Sequence, residues 1–494
     1  MKYLSALTFL SIAVAFPLPA ALAQTATVAA KTVPAPTLTA RLEATLDVPV
    51  LRNAIVGALV RDAETGETLF ARNPQFALMP ASNQKILTAA ATLGLLGSDF
   101  RYATILFRTG TVGADGALSG DLYLKGSGDP SLLSADLREL AKALKGSGVR
   151  EFRGRIFADD SRFPGPALGE GWQWDDEPFY YQPQISALSC DGNALLFTVQ
   201  PGNTPGAPAT VLVGEPSLPT VYVPVVNRAR TATAGVAESV RVERLRSGNA
   251  VVVTGEVSLG SKPITAVRTV EDPAQYAAYR LYEMLKVEGI AVGEAKVARG
   301  TVPPDAVAAA THRSKPLSAL VADFLKPSDN LFGECFLRTL GAERGSAGTD
   351  SEGAKAVREF LKSAGIPTDG LYIADGSGLS RMNNITPQIL TAILLHADRK
   401  FSPETKKAFY DGLPVAGLDG TMRNRLKGTA AERNVHAKTG TLGGVSALSG
   451  YVTTKSGKRL VFSLLMNHFA SAGSASQARA AQDAFVTALA NLTP

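Results

Sequence analysis

The chain has 494 residues, 45% of them apolar and 19% charged, with 46 glycines and 29 prolines. That composition describes a globular protein with a large core and excludes a disordered or fibrous one. The formal net charge is +6 without a basic block, which argues against nucleic acid as a partner.

The first residues, Met1-Lys2-Tyr3, give a short positive start, and Leu4 to Leu18 is almost wholly apolar. Ala21-Leu22-Ala23 offers a small-x-small cleavage site, so residues 1–23 read as a secretory signal peptide. Pro17 and Pro19 interrupt the run before it reaches the ~20 apolar residues of a membrane span. No later run is long and apolar enough either. The expectation is an exported protein, placed in the periplasm or extracytoplasmic wall space. Residues 24–40, rich in Ala, Thr and Pro, read as a flexible leader.

A strand hairpin is expected from Ile55–Arg61 and Leu69-Phe70 around Asp62–Gly66, then a helix over 80–96 ended by Gly97. Strands follow at Tyr102–Arg108, Gly120–Lys125 and Glu151–Ala158, with a helix at Leu132–Lys145 between them. Residues 186–263 are almost all β: Leu195–Val199, Thr210–Val213, Thr220–Val225, Ser239–Arg244 and Val251–Val257. A helix at 272–288 leads to helices near 316–326, 329–341, 351–365, 387–397 and 404–411. Strands at 445–453 and 459–467 and a terminal helix at 473–491 close the chain. An α/β body that stops, gives way to β-rich sequence and resumes suggests insertion rather than domains in a row. The expected layout is a catalytic domain from 41–103 and 314–494, an inserted domain from 104–185 and 264–313, and a β-rich inserted domain over 186–263.

The cysteines, Cys190 and Cys335, are far apart, and Cys335 lies in an apolar helical run, so free thiols are expected. With only four scattered histidines (His312, His396, His436, His468) they give no metal-ligand spacing. This argues against a zinc hydrolase, and no metal is expected.

Three short motifs carry chemistry. Ser82 and Lys85 are three apart at the start of the 80–96 helix and share a face. A desolvated lysine loses part of its preference for the charged form and can take a serine proton. The second motif is Ser328-Asp329-Asn330, where Ser328 reads as the N-cap of the next helix. Ser247-Gly248-Asn249 fits the same loose triplet but lies between two strands and reads as a hairpin turn. The third is Lys438-Thr439-Gly440-Thr441, with a lysine and two threonines suited to a carboxylate and a glycine permitting close approach. Each motif alone is a common structural pattern. In this order, Ser-x-x-Lys, Ser-Asp-Asn and Lys-Thr-Gly form the signature of serine β-lactamases and penicillin-binding proteins.

The chain therefore resembles the penicilloyl-serine transferases. Its long interval from Ser82 to Ser328 makes it most similar to class C low-molecular-mass penicillin-binding proteins, the D-alanyl-D-alanine carboxypeptidase/endopeptidases of peptidase type S13. Lys125–Pro130, Gly171–Asp176 and Asp375–Arg381 resemble further family segments. The resemblance implies an α/β (α+β) penicillin-binding/β-lactamase-like transpeptidase domain with β-rich inserted domains. It implies Ser82 as nucleophile, Lys85 as base and Ser328 as proton relay. Asn330, Lys438, Thr439, Gly440 and Thr441 would bind substrate, and Asp175 would meet a diaminopimelate amino group. The implied partners are peptidoglycan stem peptides, with β-lactam antibiotics as acylating inhibitors and no cofactor. A serine β-lactamase and a non-catalytic wall-binding or sensor module stay open as rivals. The balance of carboxypeptidase and endopeptidase activity and the oligomeric state are not legible.

Overall fold

The computed structural model describes residues 37–469 and 474–493. The expected signal peptide, and the leader up to residue 36, lie outside the described residues. The leader does not extend to residue 40: helix α1, Leu38–Leu46, has already begun, and Leu42 and Leu46 are buried on one of its faces. Strands β1 (Ile55–Asp62) and β2 (Thr68–Arg72) form the expected hairpin. A single 3-10 turn, Ala81–Asn83, leads into α2, Gln84–Leu96. After the inserted segment come α3 (Leu317–Leu325), α4 (Asn330–Arg344), α5 (Asp350–Ser363), α6 (Pro387–Lys400) and α7 (Pro403–Gly412). Strands β3 (His436–Leu442), β4 (Val445–Thr453) and β5 (Arg459–Asn467) then lead to α8, Ser474–Ala490.

These strands make one antiparallel sheet, ordered β2-β1-β5-β4-β3. Its side chains alternate between two cores, as a period of two demands. Leu448, Val452, Phe462 and Leu464 face Phe485 and Leu489 of α8 and Leu42 of α1. Ala447, Tyr451, Val461 and Leu465 face α2 and α3 to α7. The sheet is thus covered on both faces. Its edge strand β3 runs beside the turn before α2, and β3 carries the Lys-Thr-Gly motif.

The intervening residues build further sheets. One is ordered 297–299, 156–159, 122–125, 103–108, 307–313, and another 218–219, 210–215, 194–200, 264–269. A three-stranded sheet joins 225–227, 251–254 and 241–244. Leu106, Leu124, Phe197, Val242 and Val253 belong to one continuous core that spans these sheets. Strand Ile264–Thr269 pairs with Ala194–Gln200, so this sheet continues past residue 263.

Several expected strands differ. Glu151–Ala158 is split into Glu151–Phe152 and Ile156–Asp159, which pair into two different sheets; between them the backbone at Gly154 comes so close to Gly120 that a Cβ would meet the Gly120 carbonyl oxygen at 2.0 Å. Thr220–Val225 is regular strand only from Val225 onward: Val221 is 81% exposed, and Thr220 keeps one backbone bond, to the Val213 carbonyl, while its Oγ1 turns to Glu283. Strand Val307–Arg313, alanine-rich and without alternation, follows from its pairing with Ala103–Arg108.

Candidate active site

The Ser82 turn is made by backbone that few residues favour. Ala81, immediately before Ser82, has φ 47°, in the left-handed region. Ser328 has φ 66°. Such conformations cost a non-glycine residue on the order of 1 kcal/mol or more and persist where the surroundings over-determine them. Two packed glycines fix the Ser82 turn. A Cβ at Gly378 would meet the Ala81 carbonyl oxygen at 1.9 Å, and one at Gly440 would meet the Pro80 carbonyl oxygen at 2.7 Å. Gly440 therefore brings β3 against the serine turn. Asn83 adds a tie from the other side, donating from Nδ2 to the Lys438 carbonyl at 2.9 Å.

Lys85 is wholly buried. Its ammonium reaches Ser82 Oγ at 3.1 Å, Asn330 Oδ1 at 2.6 Å and the Ser377 carbonyl at 2.7 Å. Burial pulls its pKa down to about 8, although Asp375, Glu334 and Asp329 pull upward. A lysine held there carries a sizeable neutral fraction at mildly alkaline pH and faces a hydroxyl within hydrogen-bond reach. Lys438, also wholly buried, donates to its own neighbour's carbonyl, Thr439 O, at 3.0 Å. Burial and then the Lys85 charge hold its pKa well below the usual lysine range. Thr439 Oγ1 is linked to Thr421 Oγ1 at 2.7 Å.

Helix α4 is capped by Asp329, whose carboxylate accepts from Phe332 N at 3.2 Å. The cap is thus one residue later than the sequence suggested, and Ser328 is left free of that duty. Asn330 holds two partners at once: Oδ1 takes Lys85, and Nδ2 donates to the Tyr181 carbonyl at 2.6 Å.

Two carboxylates support this arrangement. Glu334, one turn along α4 from Asn330, is fully buried and accepts from Gly376 N and Ser377 N, each at 2.9 Å. Burial and the nearby Asp375 raise its pKa, while these two donors pull the other way. Asp375 accepts from Gly378 N, Ser380 N, Asn383 Nδ2 and Trp172 Nε1, at 2.7, 2.6, 2.8 and 2.9 Å. The resulting 375–381 loop presents the Ser377 carbonyl to Lys85. The sequence marked that loop as a family-like segment but assigned no part to Glu334 or to the Tyr181 backbone.

A cleft of about 510 Å³ opens over these groups. Ser82, Ser328, Asn330, Thr441, Tyr181 and Arg381 are among its lining residues. Lys85 and Lys438 lie beneath. Of the two acids on the Trp174–Asp176 turn, Asp176 lines the cleft, while Asp175 is exposed and is not among the lining residues. Arg381 bridges the rim, donating to the Gly443 carbonyl at 3.0 Å and to Gln173 Oε1 at 3.3 Å. Ser247-Gly248-Asn249 stands apart as a turn: Gly248 O accepts from Arg244 and Asn249 pairs with the Glu271 backbone. Both cysteines are free and buried.

Residues 38–492 match the family described as D-Ala-D-Ala carboxypeptidase 3 (S13). A D-alanyl-D-alanine carboxypeptidase from Actinomadura sp. (strain R39) is 39% identical over 440 residues, covering 86% of this chain and 80% of that protein. The D-alanyl-D-alanine carboxypeptidase DacB of Haemophilus influenzae is 28% identical over 423 residues, with 84% and 85% covered. The crystal structure of penicillin binding protein 4 (dacB) from Haemophilus influenzae superposes with a TM-score of 0.77 at 26% identity, over 91% of this chain and 99% of that one. A second crystal structure of that protein, complexed with a β-lactam, gives a TM-score of 0.72 at 26% identity, over 90% and 96%.

Proposed function

The chain belongs to the D-Ala-D-Ala carboxypeptidase 3 (S13) family, and on that premise we propose that it hydrolyses D-Ala-D-Ala bonds of peptidoglycan stem peptides through an acyl-enzyme on Ser82. The observation that carries the assignment is the buried Lys85 ammonium, 3.1 Å from Ser82 Oγ and 2.6 Å from Asn330 Oδ1. Neutral Lys85 takes the Ser82 proton as Oγ attacks the carbonyl of the penultimate D-alanine. The backbone N–H groups of Ser82 and Thr441 receive the developing oxyanion, a term often worth about 3 kcal/mol per donor. Ser328 relays the proton to the leaving amine as the C–N bond breaks. Asn330 has one side-chain N–H beyond its two protein bonds, enough to meet the substrate amide. Lys438, Thr439 and Thr441 hold the terminal carboxylate, with Gly440 keeping their strand against the serine turn. Water then releases the acyl group and restores Ser82. The acids of the Trp174–Asp176 turn would meet the free amino group of a diaminopimelate side chain. The family resemblance favours Asp175, and the cleft lining favours Asp176.

β-Lactams would acylate the same serine, since the amide they offer is strained and its leaving group stays tethered. The relative's complex with a β-lactam supports this reading. Among the described residues no helix is long and apolar enough to cross a membrane. The signal-peptide pattern of residues 1–23 supports action outside the cytoplasm. The test is mass spectrometry after incubation with benzylpenicillin, alongside release of D-alanine from a stem peptide. Wild type should carry one stable adduct and Ser82→Ala none. Equal behaviour of the two proteins would refute the assignment, and rapid loss of the adduct would favour a β-lactamase.

A further inference from the structure

The reaction above uses no atom of the β-rich segment, yet that segment grips one wall of the cleft. Arg244, whose side chain is 1% exposed, donates to Glu177 Oε1 at 2.7 Å. Its other terminal nitrogen is held by the Gly248 carbonyl at 2.6 Å. Thr269, on the strand Ile264–Thr269, donates through Oγ1 to the Glu177 carbonyl at 2.7 Å and through its backbone to the Pro178 carbonyl at 3.2 Å. Phe179 bridges to Arg268, whose guanidinium lies 5.2 Å above its ring. Tyr181 closes the segment on itself, donating from its hydroxyl to Asp176 Oδ1 at 2.7 Å. The wall from Asp176 to Tyr181 is therefore anchored to strands from the far side of the inserted region. It ends at the Tyr181 carbonyl, which receives Asn330 Nδ2 at 2.6 Å.

We propose that Glu177, Arg244 and Thr269 are positioning residues for acylation: they fix the Tyr181 carbonyl, which orients Asn330, which in turn orients Lys85 toward Ser82. This deepens the reaction assigned above and rests on it. It also gives the β-rich insertion a task in the chemistry that needs no ligand of its own. An amide side chain has two ends, and only one rotamer gives Nδ2 to Tyr181 and Oδ1 to Lys85. If the carbonyl drifts, Asn330 loses the bond that selects this rotamer, and the 2.6 Å contact to Lys85 loosens with it.

The test compares benzylpenicillin acylation of wild type, Glu177→Gln, Thr269→Val, Asn330→Ala and Glu177→Gln/Asn330→Ala. Both conservative variants keep the shape of the wall while weakening its anchors. Each should slow acylation by about tenfold, the range of coupling within one hydrogen-bond network. Glu177→Gln should add nothing in the Asn330→Ala background, because its effect passes through Asn330. A merely structural role would instead give losses that multiply. Wild-type acylation by both conservative variants, or multiplying losses, overturns the proposal. If Glu177→Gln fails to fold, Thr269→Val takes its place in the double variant. A second readout is independent of acylation: with asparagine-selective ¹⁵N labelling, the Asn330 side-chain amide signal should move in Thr269→Val. A wild type that penicillin does not label would sink the assigned reaction, while the amide signal would still decide the clamp; an unmoved signal refutes it.

Discussion

Lys85 makes the sharpest prediction, because its charge state sets the rate. Burial lowers its pKa to about 8, and the Asp375, Glu334 and Asp329 charges oppose that fall. Only the neutral amine can accept the Ser82 proton. With a pKa near 8, about 9% of the enzyme is competent at pH 7 and about 91% at pH 9. Acylation by benzylpenicillin at sub-saturating concentration should therefore rise about tenfold between those values and flatten above. An unperturbed lysine would give a limb still climbing at pH 10. The assay is the second-order acylation constant from a fluorescent penicillin, read over pH 6 to 10 where the fold is intact by circular dichroism. A flat profile, or one that falls through pH 8, would refute Lys85 as the base. The same shift has a stability consequence of defined sign. The folded-state pKa lies below the unfolded value, so between about 8 and 10.5 the unfolded chain binds more protons. In that window this group makes the fold more stable as pH rises. Below it, Lys85 carries its full penalty, on the order of 3 kcal/mol.

Three further outcomes follow from named contacts. Gly440→Val should cost about 1–3 kcal/mol of stability and most of the acylation rate, since even a Cβ would lie 2.7 Å from the Pro80 carbonyl oxygen; a thermal melt and a penicillin-labelling gel check both. Asp375→Asn removes one carboxylate that raises the Lys85 pKa, so the acylation limb should move to lower pH while denaturant unfolding shows a loss of about 2–4 kcal/mol. Cys190 and Cys335 are free, and burial pushes both thiols up, so a thiol reagent should label neither until the protein unfolds, and reductant should leave the melting temperature unchanged.

The sequence singled out Ser82, Lys85, Ser328, Asn330 and Lys438, and the structure sets Ser82, Ser328 and Asn330 in one cleft with Lys85 and Lys438 beneath it. Motifs that act through side chains leave a trace in residue type and spacing, so they can be read. Helices α4 to α6 were legible for the same reason, through apolar periodicity. What the sequence hid lies mostly in the backbone. The Tyr181 carbonyl, the Ser377 carbonyl and the positive φ of Ala81 and Ser328 depend on conformation, not on side-chain identity. Trp172 meets Asp375 across 203 residues, and no local pattern announces such a pair. Helix α1 is a different case. Leu38, Leu42 and Leu46 recur every four residues, and this signal was masked by the Ala-, Thr- and Pro-rich stretch before it. The N-cap slipped by one because Ser and Asp are both good caps. Ser328 adopts left-handed backbone, whereas Asp329 has the extended backbone (φ −64°, ψ 132°) that a cap requires.

The buried carboxylates explain how the site can hold the buried Lys85. Removing an ammonium from water is costly unless opposite charge and acceptors replace the lost hydration. Asp375 supplies that charge, and Glu334, whose own pKa burial raises, adds to it once ionised; neither touches Lys85 in a salt bridge. Each commits its oxygens to N–H donors from the 375–381 loop or its contacts. A direct ion pair would draw the proton onto Lys85 and quench it as a base. Held one layer back, the same charges moderate the desolvation and leave the pKa near 8. Their hydrogen bonds also fix the loop that presents the Ser377 carbonyl at 2.7 Å. Geometry and electrostatics are thus set by the same two side chains. A neutral isosteric replacement, Asp375→Asn or Glu334→Gln, keeps part of the geometry and drops the charge. The two contributions therefore separate only where rate is followed against pH: lost charge moves the limb, and lost geometry lowers the plateau.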